Sequence, residues 1–249
     1  MAYKKDRNKV REALLKSGVV VVMNKKHIQK PEHLVTTMKE VYDAGLVAET
    51  TFRIDPGILR EGMQELVKMR DMLSDERPFV LGCGSIINPK ELEEAIKMGF
   101  DMIVAPGNVM GGYGEGIEFI KITRQENIFS APAILSPTEL QYFIERPDGL
   151  EPDAVKVFPA GVHGPSGIGG LLAPYVRERH EGKIIMPTGG VNFETGPKFQ
   201  EAISKAGYTP VLGMSAPLSY VEKQGKPGDV ETIRESLRLF KDKYVPYNM

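Results

Sequence analysis

Short runs of apolar and β-branched residues, each followed by a small-residue or polar turn and then by a longer stretch with helical spacing, repeat along the whole chain. Runs of the first kind read as strands, and apolar positions recurring at three- and four-residue intervals read as helices. Eight strands are expected on this basis, at residues 18–24, 46–53, 78–83, 101–106, 128–133, 153–158, 183–188 and 210–214. The helices expected after them include 31–44, 57–73, 89–98, 137–145, 193–205 and 230–244. Pro31 and Pro89 fall at first helical positions, where a missing N–H costs nothing, and Asn88, Ser136 and Asn192 fall at N-caps.

Val19-Val20-Val21-Val22-Met23 is apolar without alternation, as expected of a parallel strand buried on both faces. Eight such units averaging about 31 residues fit an α/β chain closed as a single-domain (β/α)8 TIM barrel better than an open doubly wound sheet, which usually has fewer strands. No linker or low-complexity tract divides the chain. Residues 1–249 are therefore read as one barrel, with residues 3–16 as a leading helix across its bottom. Chemistry in this architecture sits at the C-terminal ends of the strands and in the loops that follow.

The 249 residues carry 32 Lys plus Arg against 33 Asp plus Glu, a formal charge of -1. That balance gives no global field to draw in nucleic acid or an anionic membrane, so any anion site is local. The apolar run 19–23 is far short of the roughly 20 residues that a membrane span needs. Met1-Ala2-Tyr3-Lys4-Lys5 leads into charge instead of a signal peptide's apolar core. Cys83 is the one cysteine, which excludes an internal disulfide and any zinc-type cysteine spacing. A cytoplasmic protein without membrane or nucleic-acid partners is expected.

Two strand ends carry unusual charge. In Leu46-Val47-Ala48-Glu49-Thr50-Thr51-Phe52-Arg53, Glu49, Thr51 and Arg53 share one face of an alternating strand. Glu49 and Arg53 are about 13 Å apart along such a strand, so each needs a partner from elsewhere. The bland reading is a solvated edge or a structural ion network. In Asp153-Ala154-Val155-Lys156-Val157-Phe158-Pro159, one lysine stands among apolar neighbours. Burial disfavours its ammonium form, which makes Lys156 a candidate nucleophile for a carbonyl. A lone lysine at a strand end would ordinarily snorkel to water, but with Glu49 facing the same interior a proton shuttle is at hand.

The seventh strand ends Pro187-Thr188-Gly189-Gly190 and the eighth Leu212-Gly213-Met214-Ser215. Glycines let the backbone approach a ligand, and barrels that bind phosphate place it between these two loops. Taken singly, each glycine pair is an ordinary tight turn. Ser85, in Gly82-Cys83-Gly84-Ser85, is a further candidate donor to a carboxylate.

These residues together resemble the class I aldolases that cleave 2-keto-3-deoxy-6-phosphogluconate and 4-hydroxy-2-oxoglutarate, the KDPG/KHG aldolases. The resemblance runs from about Gly18 to Leu218. It is carried by Glu49-Thr50-Thr51-Phe52-Arg53, Gly82-Cys83-Gly84-Ser85 with Asn88-Pro89, Pro106-Gly107, Lys156-Val157-Phe158-Pro159-Ala160 and Pro187-Thr188-Gly189-Gly190. It implies that Lys156 is the Schiff-base lysine and Glu49 the general acid/base. It further implies that Arg53 and Ser85 hold the substrate carboxylate, that Thr188 touches the keto acid, and that Gly189, Gly190, Gly213 and Ser215 bind phosphate. Members need no metal or cofactor and are usually homotrimers.

The chain departs from the family at Met23-Asn24-Lys25-Lys26-His27, at Pro132-Ala133, and in two loops that look long, 109–116 and 161–170. Lys25 or Lys26 would assist an anionic substrate end, and His163 would reach substrate, although exposed side chains are the ordinary outcome for all three. The expected function is a lyase releasing pyruvate and an aldehyde from a keto acid. Two alternatives stand beside it: a noncatalytic barrel that binds pyruvate or a sugar phosphate, and a sugar-phosphate isomerase or epimerase.

Overall fold

The computed structural model describes residues 3–73, 77–108, 117–146, 148–244 and 246–247. Ten strand segments pair in parallel: β1 (Val19–Val22), β2 (Val47–Thr51), β3 (Leu81–Gly84), β4 (Met102–Val104), β5 (Phe129–Ala131), β6 (Ala133–Ile134), β7 (Ala154–Val157), β8 (Ile184–Pro187), β9 (Thr209–Pro210) and β10 (Leu212–Met214). The helices are α1 (Arg7–Ser17), α2 (Pro31–Asp43), α3 (Pro56–Met72), α4 (Pro89–Met98), α5 (Ile117–Gln125), α6 (Pro137–Ile144), α7 (Ala160–Leu172), α8 (Arg177–His180), α9 (Gly196–Lys205), α10 (Ser219–Gln224) and α11 (Val230–Lys243).

Hydrogen bonds order six segments as β10-β1-β2-β3-β4-β5 and four as β6-β7-β8-β9. These two groups form one wall. β5 and β6 are a single strand interrupted at Pro132, whose nitrogen has no hydrogen for the ladder although its carbonyl still accepts from Lys156 N–H at 2.9 Å. β9 and β10 are parted at Val211, where the strand changes partner: Val211 N–H donates to Ile185 O, and Leu212 N–H to Gly18 O. Eight strands thus close on themselves, the (β/α)8 barrel expected from the sequence, and the open sheet is excluded.

Alternation along the strands divides the core in two. Val19, Val21, Ala48, Leu81, Cys83, Val155 and Ile185 pack outward with helix residues such as Leu34, Leu66 and Phe199. Val20, Val47, Met102, Val104, Phe129, Ala154, Ile184 and Met186 form a separate cluster inside the barrel, to which α1 adds Val10 and Leu14. α1 is capped by Asp6, whose carboxylate accepts the N–H groups of Asn8 and Lys9, and it stops at Gly18 in the left-handed conformation (φ 65°). Its apolar stripe closes the N-terminal end of the barrel, each fully buried leucine contributing roughly 1.5–3 kcal/mol.

Several boundaries differ from expectation for local reasons. α1 begins at Arg7 rather than Tyr3, because Asp6 caps it. β2 ends at Thr51, where Phe52 N–H bonds Gly84 O and Ile54 N–H bonds Thr51 O, so Arg53 lies in a turn and not on the strand face of Glu49. α9 begins at Gly196 because the Asn192 side chain accepts from Glu194 and Thr195 N–H, closing a turn rather than capping a helix. Residues 161–170, expected as a loop, belong to α7, which kinks at Gly164 (φ 64°, ψ 175°) before Pro165. The other long loop, 109–116, lies outside the described residues. Asn88 and Ser136 cap α4 and α6 as expected.

Candidate active site

Counted around the closed wall, β2 and β7 stand four strands apart, on opposite sides of the interior. Glu49 follows the inward-facing Val47 on β2, and Lys156 follows the inward-facing Ala154 on β7. Both rise above the apolar inner cluster, and they are only 4% and 5% exposed. Burial pushes the Glu49 carboxyl above its ordinary value, and the charge of Lys156 pulls it the other way; burial wins. The Lys156 ammonium lies 5.1 Å from the centre of the Phe158 ring.

Space for the carboxyl comes from β3. Gly82 stands opposite Glu49 in register and Gly84 opposite Thr51. A Cβ on Gly84 would lie 1.8 Å from Glu49 Oε1 and 2.7 Å from its Cδ, so the acid occupies the volume that any larger residue would fill. The outward-facing Cys83 between these glycines has its thiol driven well above the ordinary range by burial, reinforced by the negative charges of Glu49 and Glu91.

Thr188 caps the interior end of β8, bridged to Gly213 on the next strand. A Cβ on Gly213 would sit 2.2 Å from Thr188 Oγ1. Gly189 and Gly190 take φ of 80° and 83°, conformations that favour glycine. The start of α7 lies against them, with Ala160 N–H donating to Thr188 O and Gly161 N–H to Gly189 O, both at 2.8 Å. Ser215 is exposed beyond β10 and precedes a 3-10 turn at Ala216–Leu218. The 188–213 bridge therefore brings the two glycine-bearing ends together.

Arg53 and Ser85 meet at the loops after β2 and β3. The Thr51 hydroxyl donates to Ser85 Oγ at 3.0 Å and accepts the Arg53 N–H at 3.2 Å. Ser85 takes φ 65°, which is uncommon outside glycine and is found where a site constrains the backbone. The Arg53 guanidinium reaches Glu91, Nη2 to Oε1 at 2.5 Å.

The basic stretch after β1 is arranged differently. Lys25 is exposed, whereas Lys26 Nζ is 3.1 Å from Glu222 Oε2. Buried His27 has Nε2 3.1 Å from the other Glu222 oxygen and Nδ1 accepting the Asn24 N–H. Burial holds His27 below the usual imidazole range, against the opposing pull of the Glu222 charge. His163 is held by Leu135 O, 2.9 Å from Nε2.

Glu91 and Glu222 carry no signal in the sequence beyond their places on helices. Gly84 was visible only as part of a small-residue strand end. Among the described residues, no group of three or more His, Cys, Asp or Glu side chains is gathered to hold a metal ion, and no helix is long and apolar enough to cross a membrane. An amine and a carboxyl buried in one interior, with the amine's charge felt at the carboxyl, can together attack a carbonyl and move protons.

The model of the KDPG and KHG aldolase family matches residues 8–214. Similar solved structures include a 2-keto-3-deoxy-6-phosphogluconate aldolase from Zymomonas mobilis, with 22% identity, 96% of this chain and 97% of that chain covered, and a TM-score of 0.67. The KDPG aldolase of Legionella pneumophila, in which pyruvate is captured as a covalent carbinolamine, has 18% identity, covers 91% and 95%, and has a TM-score of 0.65. At these identities the likeness concerns the fold. No curated protein sequence matches the chain.

Proposed function

The chain belongs to the KDPG and KHG aldolase family, and we propose that it cleaves a 2-keto-3-deoxy sugar acid, phosphorylated or not, or 4-hydroxy-2-oxoglutarate, releasing pyruvate and an aldehyde. The observation that carries this reading is that Lys156 and Glu49 are both almost fully buried in one barrel interior, with the Lys156 charge acting on the Glu49 carboxyl.

In this reading the neutral Lys156 amine attacks the C2 ketone, and the carbinolamine loses water to give an iminium. Glu49 takes the proton of the C4 hydroxyl while the C3–C4 bond breaks, and its electron pair enters the iminium to form an enamine. The aldehyde leaves, Glu49 returns the proton to C3, and water releases pyruvate and the free amine. Arg53 and Ser85 hold the substrate carboxylate, and Thr188 touches the bound keto acid. A substrate phosphate is received by Gly189, Gly190, Gly213 and Ser215, which the 188–213 bridge keeps adjacent. The protein acts in the cytoplasm as a homo-oligomer, a trimer on the family's pattern.

A pyruvate-release screen over phosphorylated and unphosphorylated 2-keto-3-deoxy acids, with Lys156→Met as the blank, tests the reading. Release above the blank from at least one of them is expected. Binding without release from any of them would leave a noncatalytic barrel instead.

A further inference from the structure

The guanidinium assigned to the substrate's carboxylate already carries a carboxylate of the chain itself. Arg53 Nη2 lies 2.5 Å from Glu91 Oε1, while Glu91 Oε2 accepts the Ile87 N–H at 3.0 Å. Glu91 sits in the first turn of α4, where its own N–H donates to the Asn88 cap at 2.9 Å. Its side chain is 17% exposed against 48% for Arg53, so the acid is the fixed member of the pair and the arginine the movable one. Ser85, the other group assigned to the carboxylate, is tied to the backbone of Arg53 through the Thr51 hydroxyl.

Resting on the aldolase reading, we propose that Glu91 is a specificity-determining residue: an internal carboxylate that competes with the keto acid's carboxylate for Arg53 and so sets how much keto acid is needed to fill the site. Two carboxylates on one guanidinium repel each other, so an incoming carboxylate must shift Glu91 from Nη2 or share the cation with it. A pair with a half-exposed arginine is weak enough to be exchanged. With Glu91 in place this corner carries no net charge, which disfavours anions lacking the planar carboxylate that matches a guanidinium. Once the keto acid is linked to Lys156, Glu91 has no part in bond breaking, and its effect falls on occupancy.

The test is reductive trapping of pyruvate on Lys156, titrated against pyruvate concentration in the wild type, Glu91→Gln, Arg53→Gln and the double variant. Glutamine keeps an acceptor for Ile87 N–H while removing the charge. The half-saturating pyruvate concentration is expected to fall about two- to fivefold in Glu91→Gln. It should rise in Arg53→Gln, and adding Glu91→Gln to that background should change nothing further. Glu91→Ala, checked for folding by its melting curve, should shift in the same direction as Glu91→Gln. A half-saturation unchanged or raised in Glu91→Gln, with the wild type labelled normally, overturns the competition while leaving the aldolase reading intact. Failure of the wild type to be labelled at any pyruvate concentration overturns both.

Discussion

At the N-terminal end of the barrel Asp101 is 1% exposed and accepts hydrogen bonds from Arg70 Nη1 at 2.9 and 3.1 Å, from the Tyr3 hydroxyl at 2.8 Å and from Leu81 N–H at 3.1 Å. Asp153, nearby, is bonded to Arg7 and to the N–H and hydroxyl of Ser130. At the C-terminal end Glu49 and Lys156 are buried to a similar degree, and the Glu49 carboxyl is governed by burial and the Lys156 charge rather than by hydrogen-bond donors. Charges satisfied on every side hold a fold together. Buried charges held by one another's field rather than by a ring of donors are positioned for a substrate, and the fold carries their burial as a cost. Glycines follow the same division: Gly84 and Gly213 strip side chains from the wall where Glu49 and Thr188 stand, whereas the interior below is filled by Val, Met, Phe and Ile.

The largest effect that would sharpen this contrast is at the catalytic end. Lys156→Met is expected to lower turnover by about 10⁴-fold or more, measured as pyruvate release, while the melting temperature holds or rises because a buried polar group has been replaced by an apolar one. Pyruvate release retained by this variant would exclude a Schiff base on Lys156. Glu49→Gln is expected to cost about 10²–10⁴-fold. As the proposed base, Glu49 must be ionised to accept the C4 hydroxyl proton, and burial raises its pKa. Wild-type kcat/KM should therefore decline with falling pH while still above the ordinary carboxylate range, and that acid limb should disappear in Glu49→Gln.

At the other end Asp101→Asn leaves buried Arg70 only the exposed Asp71 as counter-charge and should destabilise by up to about 3–5 kcal/mol in denaturant unfolding, while the protein that stays folded keeps its turnover. Smaller again is Gly84→Ala: the added methyl forces the Glu49 carboxyl aside, and kcat should fall by about one order of magnitude with the acid limb displaced. The smallest effect is chemical. Buried Cys83, its thiol pushed upward, should resist an aromatic disulfide reagent until the protein is unfolded.

Eight rounds of apolar run and helical stretch made the barrel legible, because a strand covered on both faces reads as continuous Val and Ile. Lys156 and Glu49 were legible for the opposite reason, as charges in strands that otherwise bury. The tie between Arg53 and Glu91 was not legible, since it joins the turn after β2 to the first turn of α4 and depends on Arg53 leaving the strand. Residues 161–170 read as loop because five glycines and a proline hide a helix that tolerates them by kinking at Gly164. Asn192 has the residue type of an N-cap, and only the backbone reveals that its side chain closes a turn instead.

The central claim is that one buried amine forms a covalent bond with a keto acid. Incubation with pyruvate and borohydride, followed by peptide mass analysis, tests it most directly. A reduced pyruvate adduct is expected on Lys156, absent from Lys156→Met and from samples lacking pyruvate. A protein that remains unlabelled at saturating pyruvate, or that is labelled equally on surface lysines and in Lys156→Met, would contradict it.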